Sequence, residues 1–226
     1  MRTVRIARSS IIAAALVLAP APVFAQVMFF DSAQPIKLEE EIARYLPGVS
    51  YFQKGLDAYK KGRVAAAIEA WQMSAGWAMK DAQYNLGLAY FKGSGVAADR
   101  PRGLAWLALA AERRNATMQA SLAAAWDSAT ESEHQQANAL WRELKKQYGD
   151  EIALPKAKKR FETESAQISD NQRIVSRTMG AMDGKAYREK LEALAVQNFG
   201  DGAAASSGKA RYWAANSGAM GRKRPL

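Results

Sequence analysis

The chain has 226 residues and no cysteine, which together exclude disulfide bonds, thiol catalysis and cysteine-ligated metal sites. Its 32 lysines and arginines outnumber its 22 aspartates and glutamates, and the formal net charge is +10. Such a surface attracts anions. Together with the export signal described next, this charge favours lipid head groups, anionic polysaccharide or acidic proteins as partners rather than nucleic acid.

The first residues resemble an export signal. Three arginines precede a short apolar run at residues 11–19, and Val23-Phe24-Ala25 has the small-residue spacing of a cleavage site. The run is too short for a bilayer, which needs about 20 apolar residues. We therefore predict a signal peptide over residues 1–25 and a periplasmic or secreted protein without a lipidated cysteine. An uncleaved N-terminal anchor is the alternative.

Residues 26–48 form a predicted N-terminal extension. A short helix is expected at residues 36–46, ended by Pro47-Gly48. Three consecutive glutamates at residues 39–41 fit a solvated first turn near the positive end of this helix. A catalytic pair of carboxylates is the sharper alternative, but no other residue type converges on it.

A run of amphipathic segments then predicts an all-α domain over residues 49–148. The expected helices cover residues 50–61, 64–78, 81–92, 99–115, 116–129 and 131–148, with Ser50 and Asp99 as N-caps and Asn115 as a left-handed C-cap. Short loops join them, and short connections place neighbouring helices antiparallel. The expected architecture is a short stack of helix hairpins.

A C-terminal helical region is predicted at residues 149–205. Helices are expected at residues 156–167, 171–182 and 185–199. Residues 206–226 form a basic tail that we expect to be frayed. Its Trp213 fits either an anchor for a partner or membrane surface, or a helix that docks back on the hairpins.

The hairpins repeat. Gly55 aligns with Gly87 at a spacing of 32, and Trp71 aligns with Trp106 at a spacing of 35. A period in the thirties is typical of two-helix repeats. A glycine inside a helix costs about 1 kcal/mol relative to alanine, which is tolerable where a neighbouring helix passes too close for a side chain.

The second hairpin resembles the Sel1-like repeat, a relative of the tetratricopeptide repeat. The matching residues are Ala82, Leu86-Gly87, Tyr90, Gly93-Ser94-Gly95-Val96, Asp99, Arg102-Gly103, Trp106 and Ala110-Ala111. Gly103 replaces an expected alanine, and Arg114-Asn115 replaces a closing glycine. The first repeat is closer to a plain tetratricopeptide unit, and a third unit over residues 116–148 is degenerate.

The resemblance implies a short α-solenoid with additional C-terminal helices and a non-enzymatic adaptor that binds a protein or peptide on a concave face. By tetratricopeptide-like geometry, the candidate groove residues are Phe52, Leu56, Tyr59, Tyr84, Leu88, Phe91 and Lys92. The candidate repeat-packing residues are Gly55, Trp71, Leu86, Gly87, Tyr90, Trp106, Ala110 and Ala111.

Other chemistry has little support in the sequence. Gly93-Ser94-Gly95 lacks the order of a phosphate-binding loop, and His134 is a lone histidine that we interpret as a solvated surface residue. We therefore expect no catalytic residue, metal site or cofactor. A binder of anionic envelope polymer or lipid head groups is the alternative function. Its basic residues would be Lys156, Lys158, Lys159, Arg160, Lys209, Arg211, Arg222, Lys223 and Arg224.

Overall fold

The computed structural model describes residues 40–176 and 179–200. The helices are α1 (Glu40–Tyr45), α2 (Pro47–Lys60), α3 (Val64–Ala75), α4 (Lys80–Lys92), α5 (Arg100–Ala110), α6 (Ala116–Asp127), α7 (Glu131–Tyr148), α8 (Asp150–Ser165) and α9 (Gly184–Phe199). A 3₁₀ turn, Ala111–Arg113, extends α5, and strands β1 (Arg173–Ser176) and β2 (Gly180–Asp183) precede α9. The all-α class is confirmed, with one small hairpin added.

Side-chain caps fix several of the helix starts. The carboxylate of Asp99 accepts a hydrogen bond from the backbone N–H of Arg102 at 3.0 Å, so the predicted cap of α5 is present. Thr130 and Glu133 form a reciprocal capping box at the start of α7. Because these caps fall between adjacent helices, they keep the connections short and the helices antiparallel.

Some predicted boundaries were wrong. Pro47 begins α2 instead of ending α1, because a proline is tolerated in a first helical turn, and Ser50 therefore lies buried inside the helix. Arg114, not Asn115, takes the left-handed conformation after α5, and Asn115 caps α6 through its side chain. The third helix ends at Ala75, three residues early.

The two hairpins pack through the small residues. Helices α2 and α3 form one antiparallel pair and α4 and α5 the next, and α5 also packs along α7. One core lies mainly between α1, α2, α3 and α4, with a contribution from α9, and a second lies between α4, α5, α6 and α7. Helix α4 therefore lies between both cores, which explains why nearly all of its residues are buried.

The two long C-terminal helices lie across one edge of the stack. Helix α8 passes the end of α3, where the Nζ atom of Lys156 donates to the carbonyl of Gly76 at 3.3 Å. It then reaches α1, where the Nε atom of Arg160 donates to the carbonyl of Arg44 at 3.0 Å. Helix α8 also begins earlier than predicted, at Asp150, and accommodates Pro155 inside the helix.

The helix predicted at residues 171–182 was wrong. The chain forms an antiparallel β-hairpin there, with Ile174 opposite Met182 and Val175 opposite Ala181. β-branched residues favour the extended conformation, and Gly180 takes a positive φ of 84° that a helix does not allow. Within the described residues, no helix is both long enough and apolar enough to cross a membrane.

Candidate interaction surface

Most of the predicted groove residues lie in the cores. The buried ones are Phe52, Leu56, Tyr84, Leu88 and Phe91, none of which is more than 9% exposed. Tyr59 is half-buried with its ring centroid 5.7 Å from that of Trp71, and Lys92 is exposed. Because a buried side chain offers no surface to a partner, the first helices of the hairpins do not line an open groove with these residues.

The predicted packing residues lie at helix contacts. A Cβ atom on Gly55 would lie 2.3 Å from the indole of Trp71, and one on Gly87 would lie 2.7 Å from Cγ of Leu107. The buried members of the set are Gly55, Trp71, Leu86, Gly87, Trp106 and Ala110, while Tyr90 and Ala111 are half-buried. The small residues thus permit the close approach of α2 to α3 and of α4 to α5.

An open groove lies instead at the edge of the stack where the hairpin turns are. We call it the turn-edge groove, and it has a volume of about 570 Å³. It is lined by Tyr90, Val96, Ala97, Ala98, Asp99, Arg100, Pro101, Arg102, Glu133 and Gln136. Its shape depends on the turn after α4, where Gly93 and Gly95 take φ values of 71° and 77°.

Two arginines on aromatic rings form the walls of the turn-edge groove. The guanidinium of Arg100 lies 4.4 Å from the ring centroid of Phe91, and that of Arg102 lies 5.3 Å from the ring centroid of Tyr90. Arg102 also pairs with Asp99 at 3.1 Å. The floor therefore combines small apolar side chains with one half-buried tyrosine, and charged groups stand at its rim.

The far wall of the groove is held by a charged contact between repeats. Nε of Arg100 donates to Glu133 at 2.8 Å, and another nitrogen of the same guanidinium donates to the carbonyl of Ser128 at 2.7 Å. The backbone N–H of Thr130 holds the pKa of Glu133 below its usual range, and Arg100 lowers this pKa further. The carboxylate of Glu133 therefore stays ionised, and its ion pair with Arg100 joins the start of α5 to the start of α7.

A second cluster of charges lies at the opposite edge, under α8 and α9. This junction cluster consists of Lys80, Glu112, Arg113 and Asp150. Nζ of Lys80 lies 2.7 Å from Glu112 and 3.0 Å from Asp150, and Arg113 donates to both oxygens of Asp150 at 2.8 Å. Burial raises the pKa of Asp150, but the hydrogen bonds and charges of Arg113 and Lys80 outweigh burial and leave it lowered.

Sequence reasoning missed the junction cluster and the turn-edge groove. The four charged residues come from α4, from the turn after α5 and from the start of α8, so no local pattern joins them. One signal was available in the sequence, because Lys80 and Arg113 lie next to the ends of predicted helices. A carboxylate at the start of a neighbouring helix can pair with a cation in such a position.

His134, which the sequence predicts as a solvated surface residue, instead packs against an aromatic ring. His134 is half-buried rather than solvated, since its ring stacks on Trp126 at 3.9 Å and hydrogen-bonds to the carbonyl of Trp126 at 3.0 Å. No cluster of three potential metal ligands occurs among the described residues. Glu39 and the tail with Trp213 lie outside the described residues, as does the predicted signal peptide.

The basic residues of α8 divide between structural contacts and solvent. Lys156 lies 4.0 Å from the ring centroid of Trp77, and Arg160 also pairs with Glu164. Lys158 and Lys159 are exposed. The remaining five residues of the basic set, which begin at Lys209, lie outside the described residues.

The glycine-spaced hairpins define an α-helical repeat protein. Residues 80–115 match the Sel1 repeat family. This range covers α4, its glycine turn and α5, and it ends at Asn115, the N-cap residue of α6. Residues 80–115 therefore form a Sel1-like repeat. No curated protein and no solved structure matches the chain. Sel1 repeats generally mediate protein–protein interaction, and their family consists in general of non-enzymatic scaffolds.

Proposed function

We propose that this protein is a non-enzymatic adaptor of the periplasm that binds a segment of an envelope protein in the turn-edge groove. The observation that carries this proposal is the groove itself. Eight of its ten lining residues belong to the matched repeat, and the groove is open to solvent with a volume of about 570 Å³. This assignment moves the partner site away from the first helices of the hairpins, whose apolar residues are occupied by the cores.

The lining favours an extended peptide. Val96, Ala97 and Pro101 give a floor of small apolar surface, and a peptide backbone can approach such a floor closely. Arg102 is 46% exposed on its side chain and offers donors to a carboxylate or carbonyl of the partner. A segment that joins small apolar residues to an acidic residue would satisfy both features.

The N-terminal sequence supports export. The three arginines, the short apolar run and the cleavage signature are those of a signal peptide. Fractionation of cells followed by mass measurement of the purified protein tests this part of the proposal. We expect the protein in the periplasmic fraction with Gln26 as its first residue, and a cytoplasmic protein of full mass would contradict the proposal.

Photocrosslinking tests the partner site. A photoreactive amino acid at Gln136 lies in the turn-edge groove, whereas one at Gln135 lies on the same helix, is also exposed, and does not line the groove. We expect position 136, and not position 135, to capture one defined protein. An Ala97→Arg substitution, which fills the groove from an exposed position, should abolish that capture.

The same experiment separates groove binding from charge-led binding. Binding to anionic polymer or lipid would depend on the basic residues of α8 and the tail, and it would weaken steeply between low and physiological salt. Groove binding rests mainly on apolar contact, with one exposed arginine, so it should weaken much less over this change of salt. Equal capture at positions 135 and 136, or capture that the Ala97→Arg variant leaves intact, would rule out the turn-edge groove.

A further inference from the structure

A small pocket lies beside the junction cluster, at the start of α4. It has a volume of about 100 Å³, and its lining includes Asp81, Arg113, Asn115, Gln197 and Asn198. A cavity of this size has room for a few water molecules or for one ammonium or guanidinium group. The pocket is separate from the turn-edge groove, because the two lie at opposite ends of α4 and share no lining residue.

The two cations of the pocket wall, Lys80 and Arg113, are bound mainly by other groups of the chain. Nζ of Lys80 donates to the carbonyl of Leu109 at 2.8 Å and to Gln83 at 3.1 Å, in addition to its two carboxylates. Arg113 donates to the carbonyls of Ala78 at 3.0 Å and Asn198 at 2.6 Å, in addition to Asp150. Lys80 therefore has no donor left for a further anion, and Arg113 uses four of its five N–H groups.

The carboxylate of Asp81, in contrast, keeps its capacity to accept hydrogen bonds. Among the described residues it accepts no hydrogen bond, and the charge that acts on it, Arg113, is bound bidentately to Asp150. The charged residues that line the pocket are Lys80, Asp81 and Arg113, and the lining residues of α9 are neutral. Glu112 and Asp150 do not line the pocket, but they pair with the two cations. Two cations cancel two carboxylates, and the charge of Asp81 remains.

The neutral groups of the pocket are also suited to a donor-rich ligand. The side-chain nitrogen of Asn198 donates to the carbonyl of Leu194 at 2.7 Å, which leaves its side-chain oxygen directed elsewhere. Gln197 is exposed at the pocket mouth. A guanidinium has five N–H donors in a planar fork and no acceptor, so it can bind a carboxylate through two parallel hydrogen bonds, which an ammonium cannot do.

We propose that this pocket, the Asp81 pocket, binds a basic side chain, arginine in preference to lysine, through the carboxylate of Asp81. The basic side chain has two potential sources. One is a partner protein. The other is the chain's own sequence after Gly200, which includes Lys209 and Arg211, and Gly200 itself lines the pocket. This proposal is independent of the turn-edge groove and can fail without affecting it.

The binding should depend on pH in the direction set by Asp81. Burial raises the pKa of the Asp81 carboxyl to about 6. About one carboxyl in ten is ionised one pH unit below its pKa. The affinity for a basic group should therefore fall roughly tenfold from pH 7.5 to pH 5.

The test is an NMR titration of the mature full chain with a blocked Gly-Arg-Gly peptide. Its matched control is the same peptide with citrulline, which has the shape of arginine without the charge. We expect saturable shifts at Asp81 and Asn198 with the arginine peptide only, which an Asp81→Asn variant loses and an Asp127→Asn variant keeps, since Asp127 is exposed on α6.

A second variant distinguishes the two sources. The full chain with Lys209→Gln and Arg211→Gln should bind the arginine peptide more tightly than wild type if the chain's own residues occupy the pocket, and equally if a partner supplies the basic group. If the Asp81→Asn protein does not fold, the peptide-induced fall in the carboxyl pKa of Asp81 in the wild-type chain serves as the readout. No shift at Asp81 in wild type and in the tail variant, or an equal response to citrulline, would overturn the proposal.

Discussion

The indole of Trp71 occupies the space that a side chain on Gly55 would need. A Cβ atom at position 55 would lie 2.3 Å from both Cδ1 and Nε1 of the ring. The Gly55→Ala substitution should therefore lower the free energy of unfolding by about 1–3 kcal/mol, although alanine is the better helix former. Urea unfolding measures this loss.

Gly76→Ala is the matched control for that substitution. Gly76 has helical dihedral angles, and the atom nearest to its Cβ position is 3.5 Å away, which is an ordinary contact. Alanine at this position should leave stability unchanged or raise it slightly. Equal losses at positions 55 and 76 would show that the indole does not limit the residue at position 55.

Gly103 illustrates a departure from the Sel1 pattern with a clear physical cause. A Cβ atom there would lie 2.6 Å from the backbone nitrogen of Phe91, whereas a Cβ on Gly87 would first meet the side chain of Leu107. A side chain can move aside more easily than backbone. Gly103→Ala should therefore reduce the melting temperature more than Gly87→Ala does, and the reverse order in thermal unfolding would contradict this account.

Asp150 neutralises two buried cations, and its loss should be costly. In an Asp150→Asn variant, Lys80 and Arg113 would keep their charges with only Glu112 opposite them. We expect the free energy of unfolding to fall by about 2–4 kcal/mol at pH 7. Glu151→Gln is the control, because Glu151 is 77% exposed and pairs with Lys145 at the surface, where ion pairs contribute about 0–1 kcal/mol.

The effect of Asp150 has a defined pH dependence. Its native pKa is below its ordinary value, so its stabilisation is present above the ordinary pKa of an unfolded aspartate and is lost as the pH falls through the native pKa. The stability difference between wild type and Asp150→Asn should therefore shrink in acid. A difference that stays constant down to pH 3 in urea titrations would show that it does not arise from the charge.

Asp81 should act in the opposite direction. Its native pKa of about 6 exceeds the ordinary value of 3.8. Between pH 3.8 and about pH 6, the native state therefore holds a proton that the unfolded state has released. Stability contributed by this proton is present below pH 3.8 and is lost as the pH rises to about 6. Asp81→Asn should thus stabilise the protein at pH 7.5 by up to about 3 kcal/mol, but hardly at pH 4.

Thermal unfolding of both proteins across this pH range measures the Asp81 effect. Asp127→Asn provides the control, because its carboxylate is exposed and it should shift the melting temperature little at any pH. A stabilisation by Asp81→Asn that is the same at pH 4 and pH 7.5 would rule out titration of Asp81 as its cause.

The repeat could be predicted from the sequence because its signal is local. The signal includes Gly87 inside a helical pattern and the Gly-x-Gly turn, which lie in the same hairpin. Each of the aligned tryptophans lies in its own hairpin. The β-hairpin at Arg173–Asp183 was missed because its short strands contain apolar residues at spacings that also suit a helix. Burial of Phe52 and Leu56 was missed because helical spacing does not indicate what covers a helix face.

The long-range contacts of α8 change how this repeat protein should unfold. In an ordinary solenoid each repeat contacts only its neighbours, so terminal repeats can fray while the rest stays folded. Here Arg160 binds the carbonyl of Arg44, and Arg113 binds both Asp150 and the carbonyl of Asn198. The first and last described helices are thus coupled, and the array should melt in one cooperative transition rather than from its ends.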